Sequence, residues 1–138
     1  MTGAILGNGV ALKRGDGASP EVFTSIGEVV SHGGPNQTVN EVAVTHLGST
    51  VHEYLTGLRD SGELTLEANY LGSDTQQNAL ETDMANGALR NFQMTFPFSP
   101  VRTAAFSGRV TAFGLAGGVD EPVRLSISIR ITSLITWT

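Results

Sequence analysis

Cysteine is missing from this chain of 138 residues, and charged residues make up only 15% of it. Without cysteine the protein has neither disulfide bonds nor thiolate metal ligands, although the compartment in which it works stays open. The charged fraction lies well below the usual ~25%, so small polar and scattered apolar side chains cover much of the surface. Such a surface favours a protein that packs against other proteins over one that diffuses freely.

Long hydrophobic runs are also lacking. No apolar stretch approaches the ~18 residues of a membrane-spanning helix, and the N-terminus lacks a signal-peptide pattern. We therefore expect a soluble protein without a membrane partner, made and kept in a cytoplasm. The net charge is −5 and no basic cluster with interleaved aromatic residues occurs. A surface that grips nucleic-acid phosphates tightly is therefore not expected.

Recognisable catalytic and metal-binding patterns are absent as well. His46 and His52 are six residues apart, which matches no common spacing of zinc ligands, and His32 stands alone. The Gly-x-Ser-x-Gly pattern of a nucleophile elbow does not occur. Glu63 and Glu67 would lie roughly 13 Å apart on a strand, whereas the carboxylates of a glycosidase pair lie within ~10 Å. We expect no enzyme activity, no cofactor and no bound metal.

The most regular feature that is present is a strand of period two after a polar turn. Its apolar side chains share one face, and its polar side chains share the other. The apolar set is Leu64, Leu66, Ala68 and Tyr70, and the polar set is Glu63, Thr65, Glu67 and Asn69. This alternation requires a packed core on one side and a wet, acidic surface on the other. The acidic face is therefore a candidate functional surface.

Similar alternation predicts further strands and a mainly β fold. The predicted strands cover about residues 22–31 (interrupted at Gly27), 39–45, 91–96, 106–113 and 123–132. With the strand described above they give about six antiparallel strands. We expect a single domain over residues 1–138, built as an antiparallel β-sandwich or partly open barrel.

One helix is predicted at about residues 74–86. Ser73 is a candidate N-cap, and Gln76 three residues later would complete a capping box. Ala79, Leu80 and Met84 form a narrow apolar stripe. Gly87 would end the helix. A helix this short is expected to flank the sheet, either by plugging the open end of a barrel or by covering one face of the sheet.

Two segments fit no regular pattern. The first, about residues 1–20, is rich in glycine and carries Ile5, Leu6, Val10 and Leu12. It is either a flexible N-terminal arm or an arm that orders against a neighbouring subunit. The second is a long loop at about residues 46–62, which is too apolar for a solvated linker and is expected to dock onto another surface. Its apolar residues are Leu47, Val51, Tyr54, Leu55 and Leu58.

Three sequence blocks, in this order and spacing, resemble the tail tube proteins of lambda-like long-tailed bacteriophages. The blocks are GDGASPEVFTSIGEV (residues 15–29), VTHL (44–47) leading to GLRDSGELTLE (57–67), and RNFQMTFP (90–97) followed by FSG (106–108). The resemblance extends from about residue 15 to about residue 132. The first two blocks in tandem carry most of its specificity.

The resemblance implies a structural virion protein of the siphophage major tail protein family, with a β-sandwich or barrel and one flanking helix. Its subunits would form hexameric rings whose sheets join into one inner barrel, and the rings would stack into a hollow tail tube. DNA would be ejected through the lumen without specific binding. Tape-measure, tail-terminator and tip proteins would be partners. The subunit would assemble in the host cytoplasm and function in the tail of the virion, whether of a phage, a prophage or a gene transfer agent.

The resemblance also suggests roles for the two sets of residues already described. Glu63, Thr65, Glu67 and Asn69 are candidates for the lumen face, because an acidic or uncharged lining repels phosphates. Arg124 and Arg130 allow the opposite charge, and the sequence does not say which face turns inward. The nine apolar residues of the arm and the loop are candidate contacts between rings or subunits.

The sequence is also compatible with an alternative function. A ligand-binding β-sandwich module, such as a carbohydrate-binding module, would share the same fold class. Such a module would usually expose aromatic side chains on a sheet face. Beyond its phenylalanines, this chain offers only Trp137, Tyr54 and Tyr70.

Overall fold

The computed structural model describes residues 9–138, which form ten strands and one helix. In chain order the elements are β1 (Ala11–Gly15), β2 (Phe23–Ser25), β3 (Val29–Gly33), β4 (Thr38–Ala43), β5 (Tyr54–Asp60), β6 (Glu63–Asn69), α1 (Thr75–Asn86), β7 (Arg90–Phe96), β8 (Arg102–Gly118), β9 (Glu121–Ile131) and β10 (Thr136–Trp137).

Most strands belong to one antiparallel sheet with the order β2-β1-β7-β8-β9-β6-β3. The short β10 pairs with β8 beside this path, and β4 and β5 form a separate two-stranded sheet. The 17-residue β8 is the longest strand. Its first part pairs with β7 up to Gly108, and the rest, from Gly108 to Gly118, pairs with β9. This long strand therefore connects the two halves of the sheet.

The main sheet is strongly curled. Only Ile26, Gly27 and Glu28 separate β2 from β3, although these strands are the two edges of the sheet. A chain of that length spans at most about 15 Å, whereas the edges of a flat seven-stranded sheet would lie roughly 29 Å apart. The rings of His32 on β3 and Phe96 on β7 also approach to 6.2 Å between centroids. Curling brings the apolar faces of the two halves together.

The core lies inside this curl. The largest fully buried side chains come from β6, β7, β9 and α1, together with Leu12 of β1, and β8 adds Ala104, Phe106 and Val110. Examples are Leu64, Leu80, Phe92, Met94, Leu125, Ile127 and Ile129. The alternation predicted for β6 is confirmed, since its burial alternates strictly from Glu63 to Ala68. The mainly β, antiparallel fold with a flanking helix is likewise confirmed, and across residues 9–138 the sheet does not close into a barrel.

Helix α1 covers part of the core next to β8. It ends as predicted, because Gly87 adopts φ 63° and its N–H bonds back to the carbonyls of Asp83 and Met84. The prediction of its N-cap was wrong. Asp74, not Ser73, is the N-cap, and its carboxylate accepts the N–H of Gln76 at 3.0 Å. Asp74 also accepts the N–H of Gly27 at 2.8 Å, so the cap is fixed by the connection between β2 and β3.

The predicted apolar stripe of the helix was also wrong in part. Leu80 is buried, but Met84 is exposed and Ala79 only half-buried. The other buried positions of α1 are polar: Gln77 and Asp83. The amide of Gln77 donates to the carbonyls of Gly27 and Asn69, and its oxygen accepts the N–H of Leu71. Buried polar groups are tolerated because their hydrogen-bonding capacity is met.

Two irregular segments that the sequence predicted are more ordered than expected. The predicted N-terminal arm contains β1, which is an interior strand between β2 and β7. The predicted long loop at 46–62 contains β5 from Tyr54 to Asp60. The predicted strand at 22–31 is divided into β2 and β3, because Glu28 adopts a positive φ of 51° between them. In the described part of the chain, no helix is long and apolar enough to cross a membrane.

Candidate interaction surfaces

The polar side of β6 continues across its neighbour β9. Glu63, Thr65 and Glu67 are exposed, and Asn69 is half-buried. In the β6–β9 register, Glu63 lies opposite Arg130 and Asn69 lies opposite Arg124. Residues directly opposite on antiparallel strands share a face. The structure therefore places the acidic candidates and the two arginines on the same surface.

We call this surface the polar face and define it by three strands. It comprises Glu63, Thr65, Glu67 and Asn69 of β6, Arg124, Ser126, Ser128 and Arg130 of β9, and Arg109, Ala112, Gly114 and Ala116 of β8. A shallow depression of about 430 Å³ lies on the β3 side of this face, lined by residues of β3, β6 and β9. Hydroxyl groups of Ser31, Thr65, Ser126 and Ser128 contribute to its lining. The polar face is thus mixed in charge, with hydroxyl-bearing residues near its centre.

Asp60 connects the polar face to the end of β5. Both of its carboxylate oxygens lie 3.2 Å from Nη2 of Arg130. Its Oδ1 also accepts the N–H of Gly62 at 2.8 Å. The Gly62 hydrogen bond and then the nearby Arg130 guanidinium lower the pKa of Asp60. Gly62 itself adopts φ 76°, and a Cβ there would collide with the carbonyl of Asn36.

The second candidate surface is the hairpin, defined as β4, β5 and the turn of residues 44–53 between them. Every residue of its strands is exposed except Gly57, which is half-buried. The pair Val42–Leu55 lies on one face, and the pairs Glu41–Thr56 and Ala43–Tyr54 lie on the other. Val39 shares the face of Glu41, because the extra residue of the bulge lies in β5 and β4 alternates regularly. We call the pair Val42 and Leu55 the aliphatic face. An isolated two-stranded hairpin is marginally stable in water, and exposed apolar patches mark interaction sites.

Side chains order the turn of the hairpin. Nδ1 of His46 accepts the N–H of Gly48 at 3.1 Å, and the hydroxyl of Ser49 donates to Glu53 at 2.6 Å. The hydroxyl of Thr45 accepts the backbone N–H of Glu53 at 2.9 Å. These bonds hold the fully exposed Leu47 and the exposed Val51 at the far end of the hairpin.

The predicted contact residues fall into four groups. Leu47, Val51, Tyr54, Leu55 and Leu58 are all exposed on the hairpin, with Leu58 at 87% exposure. Leu12 was predicted as a contact with another subunit, but it is buried in the core of its own subunit and is withdrawn from the set. Val10 is half-buried against the same core. Ile5 and Leu6 lie outside the described residues.

Sequence reasoning missed several residues of these surfaces. Val39 and Val42 join the hairpin's exposed apolar set, and the alternation in residues 39–45 already pointed to a strand there. Arg109 of the polar face carried no sequence signal, because only the β8–β9 register brings it opposite Arg130.

A buried charge cluster fixes α1 against the sheet and was also missed. Asp83 is 2% exposed and accepts bonds from Nε and Nη2 of Arg14 at 2.6 and 2.9 Å. Nε of Arg90 donates to the same carboxylate at 3.1 Å. The cluster joins β1, α1 and the start of β7. Within residues 9–138, no group of three or more metal-ligating side chains comes together.

Comparison with known proteins identifies the family. The lambda phage tail tube protein family matches residues 10–138 of this chain. The chain therefore belongs to that family, whose members are structural proteins, and its role is that of a subunit of a tail tube. A search of curated proteins finds no significant match.

Solved structures with the same fold include tail components of several particles. A chain from the tail of an empty gene transfer agent particle with C6 symmetry has a TM-score of 0.77 at 18% identity, covering 98% of this chain and 99% of that one. A chain of the native gene transfer agent virion gives 0.76 at 17% identity, with coverage of 98% and 99%. The SPP1 tail tube gives 0.75 at 15% identity, with coverage of 98% and 79%. At these identities the similarity concerns the fold.

Proposed function

We propose that the subunit assembles into hexameric rings that stack into a hollow tail tube through which DNA is ejected. Membership of the tail tube family over residues 10–138 is the observation that carries this proposal. The C6 symmetry reported for a gene transfer agent tail of the same fold supports the sixfold ring. We further propose that the subunit is not an enzyme and that it is assembled in the host cytoplasm, with tape-measure, terminator and tip proteins as partners.

Open strand edges support lateral assembly. Edge strands β2 and β3 each have one neighbour in the main sheet, and beyond Gly108 strand β8 pairs with β9 alone among the described residues. Unpaired edges expose backbone N–H and C=O groups that can pair with another chain. Pairing around a closed ring satisfies these groups without leaving an edge for uncontrolled growth.

The hairpin supports contacts between neighbouring subunits or rings. A second copy of the subunit would bury the exposed apolar residues of the hairpin. This burial would stabilise the hairpin, because a two-stranded hairpin by itself is only marginally stable in water. We propose Leu47, Val51, Tyr54, Leu55 and Leu58 as contacts of this kind. Ile5, Leu6 and Val10 are proposed as additional contacts.

The polar face is proposed to line the lumen, with Glu63, Thr65, Glu67 and Asn69 among its residues. A test is the double variant Glu63→Lys/Glu67→Lys, which makes this face strongly basic. Virions carrying such tubes should eject DNA poorly, because phosphates would bind the wall. Normal ejection would contradict the placement of this face.

Electron microscopy of the purified protein tests the tube role directly. Negatively stained samples at increasing concentration should show rings or hollow rods. A strict monomer at all concentrations would contradict the proposal. The carbohydrate-binding alternative gains no support from the aromatic residues. Tyr54 lies on the hairpin, whereas Trp137 stacks on Phe96 and lies under Arg102.

A further inference from the structure

The strand register arranges the polar face in four levels across β6, β9 and β8. Each level contains one residue from each strand. In order they are Glu63–Arg130–Arg109, Thr65–Ser128–Ala112, Glu67–Ser126–Gly114 and Asn69–Arg124–Ala116. Arginines therefore occupy the first and last levels, and small or hydroxyl side chains dominate the two levels between them.

The first level holds two arginines, and both nearby carboxylates lie beside Arg130 and not beside Arg109. Arg109 lies directly opposite Arg130, and like charges opposed on neighbouring strands are destabilising. Asp60 pairs with Arg130 at 3.2 Å, and Glu63 lies opposite Arg130 on its other side. Arg109 is exposed and forms no salt bridge with any residue from 9 to 138. An anion from outside the subunit that binds Arg109 would reduce the electrostatic repulsion between Arg109 and Arg130.

The last level, at the other end of the face, contains a single arginine. Arg124 lies between Asn69 and Ala116, and no salt bridge to it forms within the described chain. Arg124 and Arg130 are six positions apart along β9, which is roughly 20 Å of extended strand. The polar face is therefore not the uniformly acidic surface that β6 alone suggests. Near each end it carries an arginine, Arg109 or Arg124, that forms no salt bridge within residues 9–138.

We propose that Arg109 and Arg124 make brief, salt-dependent contacts with the phosphates of double-stranded DNA passing along the polar face. This inference rests on the proposed function, which places the face in the lumen. Guanidinium groups bind phosphate well. The two levels that lie between Arg109 and Arg124, one of which contains Glu67, carry no cationic side chain that could bind phosphate. Each contact with DNA therefore stays weak, and the DNA can continue to slide along the face.

The first experiment tests where the face lies. The chain contains no cysteine, so Ser126→Cys introduces a single thiol at the centre of the polar face. Tubes of this variant are labelled with a maleimide gold cluster and imaged by cryo-electron microscopy. Glu81→Cys, on the exposed side of α1, provides a reference position for the label. Gold from Ser126→Cys should lie inside the lumen.

Gold on the outer surface would overturn the inference and leave the tube role intact. Failure of the unmodified protein to form any tube would instead contradict the proposed function, and this inference with it.

The second experiment tests the two arginines. Wild-type tubes are incubated with a short fluorescent DNA duplex at low ionic strength and pelleted, and the retained fluorescence is measured. The double variant Arg109→Gln/Arg124→Gln should retain about tenfold less duplex. Arg109→Lys/Arg124→Lys keeps the charge and should restore most of the retention. Added salt should release the duplex from wild-type tubes.

Equal retention by the glutamine variant and the wild type would overturn the inference. If the double variant does not assemble, the single variants Arg109→Gln and Arg124→Gln replace it. Each should then retain less duplex than wild-type tubes, and unchanged retention in both would also contradict the proposed role.

Discussion

Asp83 is the residue on which the docking of the helix depends most. Its carboxylate receives three hydrogen bonds from two arginines on different strands, and it is almost completely buried. A buried charge is tolerated only when partners compensate it, and removing one partner leaves the others buried and uncompensated. The cluster therefore specifies how α1 sits on the sheet.

Replacing Asp83 with asparagine keeps the shape of the side chain but removes its charge. We expect Asp83→Asn to lower the free energy of unfolding of the subunit by about 3 kcal/mol, because Arg14 and Arg90 lose their counter-ion. Urea denaturation measures this change. Glu81→Gln, on the exposed side of the same helix, should change stability by no more than ~0.5 kcal/mol. Equal stability of the two variants would contradict the assigned role of the cluster.

The contacts that Asp60 makes at the base of the hairpin depend on pH, because they require its carboxylate to be ionised. The Gly62 N–H and Arg130 stabilise its ionised form, so its pKa is lowered on folding. A lowered pKa means that this contribution is fully present above the unfolded-state pKa of ~3.9 and is lost as the pH falls through the folded value. The Gly62 amide resonance should therefore stay constant down to about pH 4 and shift at lower pH.

An NMR titration of the unassembled subunit checks this prediction. In Asp60→Asn the side-chain oxygen can still accept the Gly62 N–H, but the group no longer titrates. The acid shift of Gly62 should therefore disappear. A shift that persists in this variant would show that another group causes it.

At the level of elements, the hairpin can be altered to test assembly without disturbing the folding of the subunit. Its strands lie outside the main sheet and its residues contribute nothing to the buried core. Changes on its surface should therefore leave the subunit folded while altering what the subunit binds. The two faces of the hairpin provide a matched comparison within one element.

We expect the cross-strand pair variant Val42→Asn/Leu55→Asn to prevent or strongly reduce tube formation. It removes apolar area from the aliphatic face that a second copy would bury. The control pair, Glu41→Gln/Thr56→Asn, lies on the opposite face. This control variant should form tubes to an extent closer to that of the wild type than the Val42→Asn/Leu55→Asn variant does. Size-exclusion chromatography and electron microscopy measure assembly, and thermal unfolding verifies that both variants fold. Equal assembly by both pairs would contradict the assignment of the aliphatic face.

For the whole molecule, the curled sheet implies an uneven distribution of stability. Strands β6 and β9 are paired on both sides and lie beside the core, whereas β4 and β5 are paired only with each other. Local opening is easiest where few buried contacts resist it. The same subunit should therefore combine a slowly exchanging core with a readily opened hairpin.

Hydrogen exchange should show this contrast before and after assembly. In the unassembled subunit, we expect slow exchange in β6 and β9 and fast exchange in the hairpin. Assembly into tubes should protect the hairpin amides and leave the core almost unchanged. Exchange in the hairpin that is equally fast in tubes would argue against its burial by a neighbouring copy.

Some of these features were predictable because they depend on local pattern. The period of two in residues 63–69 identified β6 and its buried face correctly, and Gly87 identified the end of α1. The position of β1 was not predictable in this way, because the glycines around residues 11–15 indicated irregular structure. The strand forms there because it pairs with β2 and β7. Likewise, Tyr54–Asp60 becomes a strand only because β4 pairs with it.

The amino-acid sequence by itself determined the β class, the period that divides β6 into an apolar and a polar face, and the blocks that resemble tail tube proteins. These properties reside in neighbouring residues and in their order along the chain. Only the tertiary structure decided that Leu12 belongs to the core, that Asp83 lies between two arginines, and that Arg109 and Arg124 share a surface with Glu63 and Glu67. Each of these depends on strand register and on the curl of the sheet, which bring together residues far apart in sequence.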